Sequence, residues 1–209
     1  MDRLALAPVT FALLAVNVGV SLYVLMARPD LFERYALKPH AVLRRGEWDR
    51  VIVSAFLHVG LGHLAFNMIS LYAFGPILEQ LLGIWRFAVL YFGSQFAAAA
   101  LTLWLRRGDA NYSAVGASGA ISGVIFAFCL FAPFEKIYIM FALPMPAVLF
   151  AGLYVVGSIW AMRQAQQEGV TGGVAHEAHL GGALGGVLIT IALVPQVVSY
   201  FLTEVGLIG

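Results

Sequence analysis

The sequence predicts an all-α integral membrane protein, a bundle of six transmembrane helices with a long membrane-associated first loop, as one domain over residues 1–209. Three observations predict it. Of the 209 residues, 61% are hydrophobic and 11% charged, against about 25% charged residues in soluble domains. The apolar residues fall into runs close to the ~20 that a helix needs to cross a hydrocarbon core about 30 Å thick. A serine and a histidine lie inside two of those runs, at a depth where polar groups are expensive and usually functional.

The six expected spans are 8–26, 64–82, 84–105, 115–131, 141–162 and 178–202. The first is too long for a secretory signal, and Met26-Ala27-Arg28 is a poor small-residue cleavage site, so it is read as a retained helix. The second begins with polar residues. The third is the cleanest run. The fifth has an ill-defined start because Pro144 and Pro146 disfavour helix there, and the sixth carries Pro195 near its end. The single cysteine, Cys129, excludes an intrachain disulfide and a cysteine-based metal cage, which leaves it a packing role.

Ala27 to Arg50 holds six basic and four acidic residues, too long and too mixed for a tight turn. Trp48 within it suits an interface where one end of the ring stays wet. An ordered loop leaning on the membrane is expected. The connection from Arg163 to Glu177, rich in Gln and Gly, is expected to be flexible. Of the 12 Lys and Arg, Arg3, Arg86 and Lys136 share the side of the termini and the other nine lie opposite. By the positive-inside rule, that count puts the termini outside.

The fourth span opens Gly116-Ala117-Ser118-Gly119, and Gly116, Gly119 and Gly123 recur along one helical face. Small residues let membrane helices approach closely. Alone this is a packing face, with Ser118 and Ser122 bonded to backbone carbonyls. The sixth span changes that reading, because Gly182 and Gly186 lie three and seven residues after His179, on its face. Two helices with glycine beside their polar residue can bring Ser118 Oγ within about 2.6–3.2 Å of His179. Serine is a weak nucleophile until a base takes its proton, and a neutral imidazole is available near pH 7. Ser118 and His179 therefore form a candidate catalytic dyad.

His176 competes for the role of base, whereas Glu177 points away from His179 on a helix. Acyl transfer also needs donors aimed at the developing oxyanion. His63 and Asn67 stand one helical turn apart in the second span, and the Ser118 amide near a helix start can join them. His58 is expected to hold a structural hydrogen bond. A zinc site built from His58, His63, His176 and His179 would leave the Gly116–Gly119 run without a role, so no metal is expected. No nucleotide-binding loop or cofactor motif occurs, so neither a cofactor nor a nucleic-acid partner is expected. A small transporter or channel is the reading that uses the polar residues without a nucleophile.

Together, Gly116-Ala117-Ser118-Gly119, His63 through Asn67, and Ala178-His179 with Gly182 and Gly186 resemble the rhomboid intramembrane serine proteases. Trp48-Asp49-Arg50 is similar to that family's Trp-Arg loop motif, which gives Trp48 and Arg50 a structural role by resemblance. The likeness runs in order over nearly the whole chain. It implies a six-helix rhomboid-like bundle with Ser118 as nucleophile, His179 as base, and His63, Asn67 and the Ser118 amide as oxyanion donors. The implied substrates are membrane-anchored proteins whose helices enter the bilayer-embedded site beside the second and fifth helices and unwind before cleavage. It also implies cytoplasmic termini, against the charge count. The compact architecture suits a bacterial inner membrane. A binder without activity, steering the turnover of membrane proteins, is the alternative within the same fold. Some members carry a Tyr four residues after the nucleophile that stacks on the histidine; here that position is Ser122.

Overall fold

A computed structural model describes residues 6–139, 142–168 and 174–209. The first helix, α1 (Pro8–Ala27), starts on a proline at the position where its missing N–H is least needed. Three short helices follow in the charged loop: α2 (Asp30–Tyr35), α3 (Pro39–Arg45) and α4 (Asp49–Val53). Then come α5 (Leu61–Leu82) and α6 (Ile84–Leu105), two 22-residue helices joined at Gly83. The joint has a φ of 81°, which a side chain would strain.

Helix α7 (Ser118–Phe131) has 14 residues, about 21 Å of helix, and sits at the centre of the bundle. A two-stranded antiparallel hairpin, β1 (Lys136–Ile139) and β2 (Leu143–Pro146), precedes α8 (Ala147–Glu168). Helices α9 (His176–Leu193) and α10 (Val197–Glu204) complete the chain.

Helices α1, α5, α6, α8 and α9 are long and apolar enough to cross a membrane. The outer surface agrees, since Trp85, Met26, Val156 and Trp160 stand exposed as lipid-facing groups do. The expected fourth span starts at Ser118 instead of 115, because Gly116 takes a left-handed φ of 121° and donates its N–H to the Ser54 carbonyl. The expected sixth span divides at Val194 and Pro195 into α9 and α10, since proline has no N–H to continue the ladder. The fifth starts at Ala147 because Pro144 and Pro146 lie in β2. The hairpin is a small β addition to the expected all-α bundle. Helix covers the expected connection as far as 168; the stretch 169–173 lies outside the described residues, as does Arg3.

The main core joins Leu13, Leu71, Leu78, Phe87, Leu90, Ile121 and Val124 from α1, α5, α6 and α7. One buried charge on these helices is fully partnered. Glu79 on α5, 2% exposed, accepts from the Val9 and Thr10 amides at 2.8 and 2.7 Å and from the Thr10 hydroxyl. Those are amides that the first turn of α1 cannot satisfy itself, and a carboxylate there also meets the helix dipole.

The first loop is a folded element. Its Leu37, Val42 and Val51 pack on Ala99 and Leu103 of α6. Arg50, 4% exposed, donates to the Glu47 carboxylate at 2.5 Å and to the carbonyls of Glu33 and Ala36 at 3.2 and 2.8 Å. Trp48 stands exposed at the rim. Arg34 pairs with Asp49, Lys38 with Glu33, and Arg45 with Glu47, so most of the loop's basic residues are spent inside the loop.

Candidate active site

Helices α6, α7 and α9 meet more closely than side chains allow. A Cβ on Gly182 would overlap the Gly119 carbonyl, and one on Gly186 would overlap the Gly123 backbone. On the other face of α9, a Cβ on Gly181 would stand 2.9 Å from the Ala97 carbonyl of α6. Gly119 itself lies against Ala98 of α6. With backbones in contact, short polar side chains can bridge the helices.

They do: His179 Nε2 is 2.8 Å from Ser118 Oγ. Ser118 is the first residue of α7 and His179 lies in the first turn of α9, so the pair sits at the same end of the bundle. His176 faces the His179 ring edge-on at 6.2 Å. Glu177 turns the other way, 1% exposed, and takes Arg106 Nε at 2.6 Å and Nη2 at 3.4 Å. The hydrogen bond to Glu177 raises the pKa of the Arg106 guanidinium. This ion pair ties the start of α9 to the end of α6.

Gly116 provides the other wall. A Cβ there would stand 2.8 Å from His63 Cε1, 3.0 Å from its Nε2 and 3.8 Å from Asn67 Nδ2. The two α5 side chains thus converge on the segment that leads into Ser118, and only a residue without a side chain fits between. Asn67, 2% exposed, donates to the His63 carbonyl at 3.2 Å. Below them His58 accepts from, or donates to, Ser21 at 2.8 Å, and burial pushes its pKa down to about 4. Its ring packs edge-on against His63 at 4.9 Å.

The amides before and after Ser118 have partners that shape the turn. Gly116 N–H goes to the Ser54 carbonyl at 2.9 Å and Ala120 N–H to Gln95 Oε1 at 3.3 Å. Leu37 and Ala114 exchange both backbone hydrogen bonds, so the first loop grips the approach to the serine. The Ser118 amide belongs to the first turn, whose N–H groups have no intrahelical acceptor.

Ser54, Leu37, Gln95 and Arg106 support the site from positions that motif reading passes over. Of these, Gln95 gives a signal, a polar residue in the middle of the cleanest apolar run. A further group, Tyr154 of α8, lies face to face with the His179 ring, centroids 6.3 Å apart at 29°. Among the described residues no cluster of metal-binding side chains occurs.

Residues 45–196 match the Rhomboid domain family. The chain is similar to Rhomboid protein 1, mitochondrial, of Saccharomyces cerevisiae, 32% identical over 85% of this chain and 51% of that protein. It is also similar to Rhomboid protease AarA of Providencia stuartii, 28% identical over 90% of this chain and 73% of that one. A third relative is Rhomboid protease GluP of Bacillus subtilis, 29% identical over 59% of this chain and 22% of the relative. The chain thus spans about half of the yeast protein and a smaller part of GluP. These relatives come from mitochondria and from bacteria, so they lend no support to the bacterial inner membrane expected from the architecture.

Proposed function

This chain belongs to the rhomboid family of multi-pass membrane proteins, and we propose that it is an intramembrane serine endopeptidase working through a Ser118–His179 dyad. The observation that carries this reading is the 2.8 Å approach of His179 Nε2 to Ser118 Oγ between two helices in backbone contact. In the proposed reaction, Ser118 Oγ attacks the carbonyl carbon of a peptide bond while His179 Nε2 takes the hydroxyl proton. The carbonyl oxygen becomes an oxyanion, and the Ser118 amide, His63 and Asn67 are the proposed donors to it. His179 then gives its proton to the leaving amine, whose C–N bond breaks, and an acyl-Ser118 ester remains. Water, deprotonated by His179, hydrolyses the ester and restores the serine.

The proposed substrates are membrane-anchored proteins. A transmembrane helix shields its carbonyls in hydrogen bonds, so a segment with helix-breaking residues near the cleavage point is favoured. The test is cleavage of a reporter with one such transmembrane segment, reconstituted with the protein in liposomes. Cleavage by wild type, lost in both Ser118→Ala and His179→Ala, is the expected result. Equal cleavage by wild type and Ser118→Ala would refute the assignment. His63→Ala and Asn67→Ala should each slow the reaction about 10²–10³-fold if they are the oxyanion donors.

A further inference from the structure

We propose that Tyr154 is the positioning residue of the His179 imidazole, held in place by Ser122, so that the docking of α8 sets the geometry of the base. The inference rests on the reading of Ser118 and His179 as the reacting pair. Ser122 lies one turn beyond Ser118 on α7, 5% exposed, and its hydroxyl is 2.7 Å from the Tyr154 hydroxyl. That hydrogen bond fixes one end of the tyrosine. Phe126 of α7 meets the ring at 5.4 Å and 64°, and Phe150 of α8 at 5.6 Å and 40°. The fixed ring then offers its face to His179 at 6.3 Å and 29°, within the range of an offset stack.

An imidazole attached to a helix by one rotatable arm needs a surface to lie on if Nε2 is to stay on Ser118. Glu177 cannot orient it, being turned onto Arg106. Tyr154 supplies the surface from a neighbouring helix. The small Ser122 is what leaves room for it: a large side chain at 122 would fill the space that the Tyr154 hydroxyl occupies. The ring arrives on α8, of whose long side chains Leu149, Leu153, Val156 and Trp160 are exposed. Any outward movement of α8 would take the ring away from His179.

The test uses the full-length protein in detergent micelles, with two readouts. One is the rate at which a fluorophosphonate probe labels Ser118; the other is the proton shift of the His179 ring in histidine-labelled protein, assigned with His179→Gln. Tyr154→Leu should slow labelling about tenfold and Tyr154→Phe about two- to threefold, the range expected for losing a stack or a hydroxyl contact. Thermal midpoints should stay near wild type, and with a peptide reporter the loss should fall on kcat, with KM unchanged. Tyr154→Leu should also remove the ring-current displacement of the His179 protons. Ser122→Tyr combined with Tyr154→Ala should recover labelling, since the ring is then supplied from α7. Wild-type labelling by Tyr154→Leu, or an unmoved His179 resonance, would overturn the proposal. If Tyr154→Leu does not fold, Tyr154→Phe, Ser122→Ala and the double variant decide by the same measures. A protein whose His179 resonance moves as expected but whose Ser118 never labels would keep the stack and refute the dyad.

Discussion

Helices α8 and α9 follow one another in the chain and both carry glycine, yet they use it in opposite ways. In α9 the glycines at 181, 182, 185 and 186 each face a backbone or Cβ too near for a side chain. In α8, Gly152 and Gly157 have nothing within 4 Å of a built Cβ. The apolar residues differ likewise, with Leu149, Leu153, Val156 and Trp160 of α8 exposed while α9 sits against α6 and α7. Glycine spacing therefore marks a helix interface only when a matching face exists on another helix. The difference also divides the molecule by task. The proposed nucleophile and base stand on the tightly packed helices, where a 2.8 Å contact can be kept. The loosely packed helix, α8, is the one that carries Tyr154 to the His179 ring.

The largest effect should come from breaking the tight side. Gly182→Leu drives a side chain into the Gly119 carbonyl, and overpacking of a close-packed core costs about 1–3 kcal/mol or more. Here backbone meets backbone with no room to relax, so little folded protein should be recovered, as read by yield and thermal midpoint in detergent. Next, Arg106→Ala leaves the Glu177 carboxylate, 1% exposed, without its partner. Removing one member of a buried pair costs about 3–5 kcal/mol, and because Arg106 itself is 17% exposed the lower end is expected. The thermal midpoint should fall accordingly, with a further drop in Ser118 labelling as the start of α9 loosens.

A cross-link between α5 and α8 sharpens the comparison from the loose side. In a Cys129→Ala background, an engineered disulfide between these helices should suppress cleavage of a transmembrane reporter while leaving labelling by a small probe intact. Cleavage at full rate through the cross-link would show that substrates reach Ser118 without α8 moving. The smallest effect belongs to Gly152→Ala, whose new methyl enters open space; stability should stay within about 0.5 kcal/mol of wild type. The contrast between Gly152→Ala and Gly182→Ala is the cleanest single comparison, since the chemical change is the same.

How far the sequence discloses this arrangement depends on the range of the contacts. The pairing of Ser118 with His179 is legible because each lies beside its own glycine row, and the rows are regular over a single helix. The folded first loop is legible in its charges and in Trp48-Asp49-Arg50. By contrast, the late start of α7 follows from the Ser54 carbonyl and the Leu37–Ala114 pairing, contacts across more than sixty residues that no local pattern carries. Tyr154 is illegible for the same reason. It is one of three aromatics on an apolar helix, and its distinction is a 2.7 Å contact with Ser122 of another helix. Ser122 reads, in sequence, as the absence of an aromatic support; in three dimensions it is the partner of the aromatic that replaces it. The break at Pro195 and the hairpin around Pro144 and Pro146 required only that proline's missing donor be given its full weight.

The proposed chemistry stands or falls with Ser118 as a nucleophile activated by His179. Labelling of the purified protein with a fluorophosphonate probe, with wild type compared against Ser118→Ala and His179→Ala, tests it most directly. Covalent label on wild type and none on either variant is the expected result. Absence of label on wild type, under conditions where a known intramembrane serine protease reacts, or label that persists in Ser118→Ala, would contradict it.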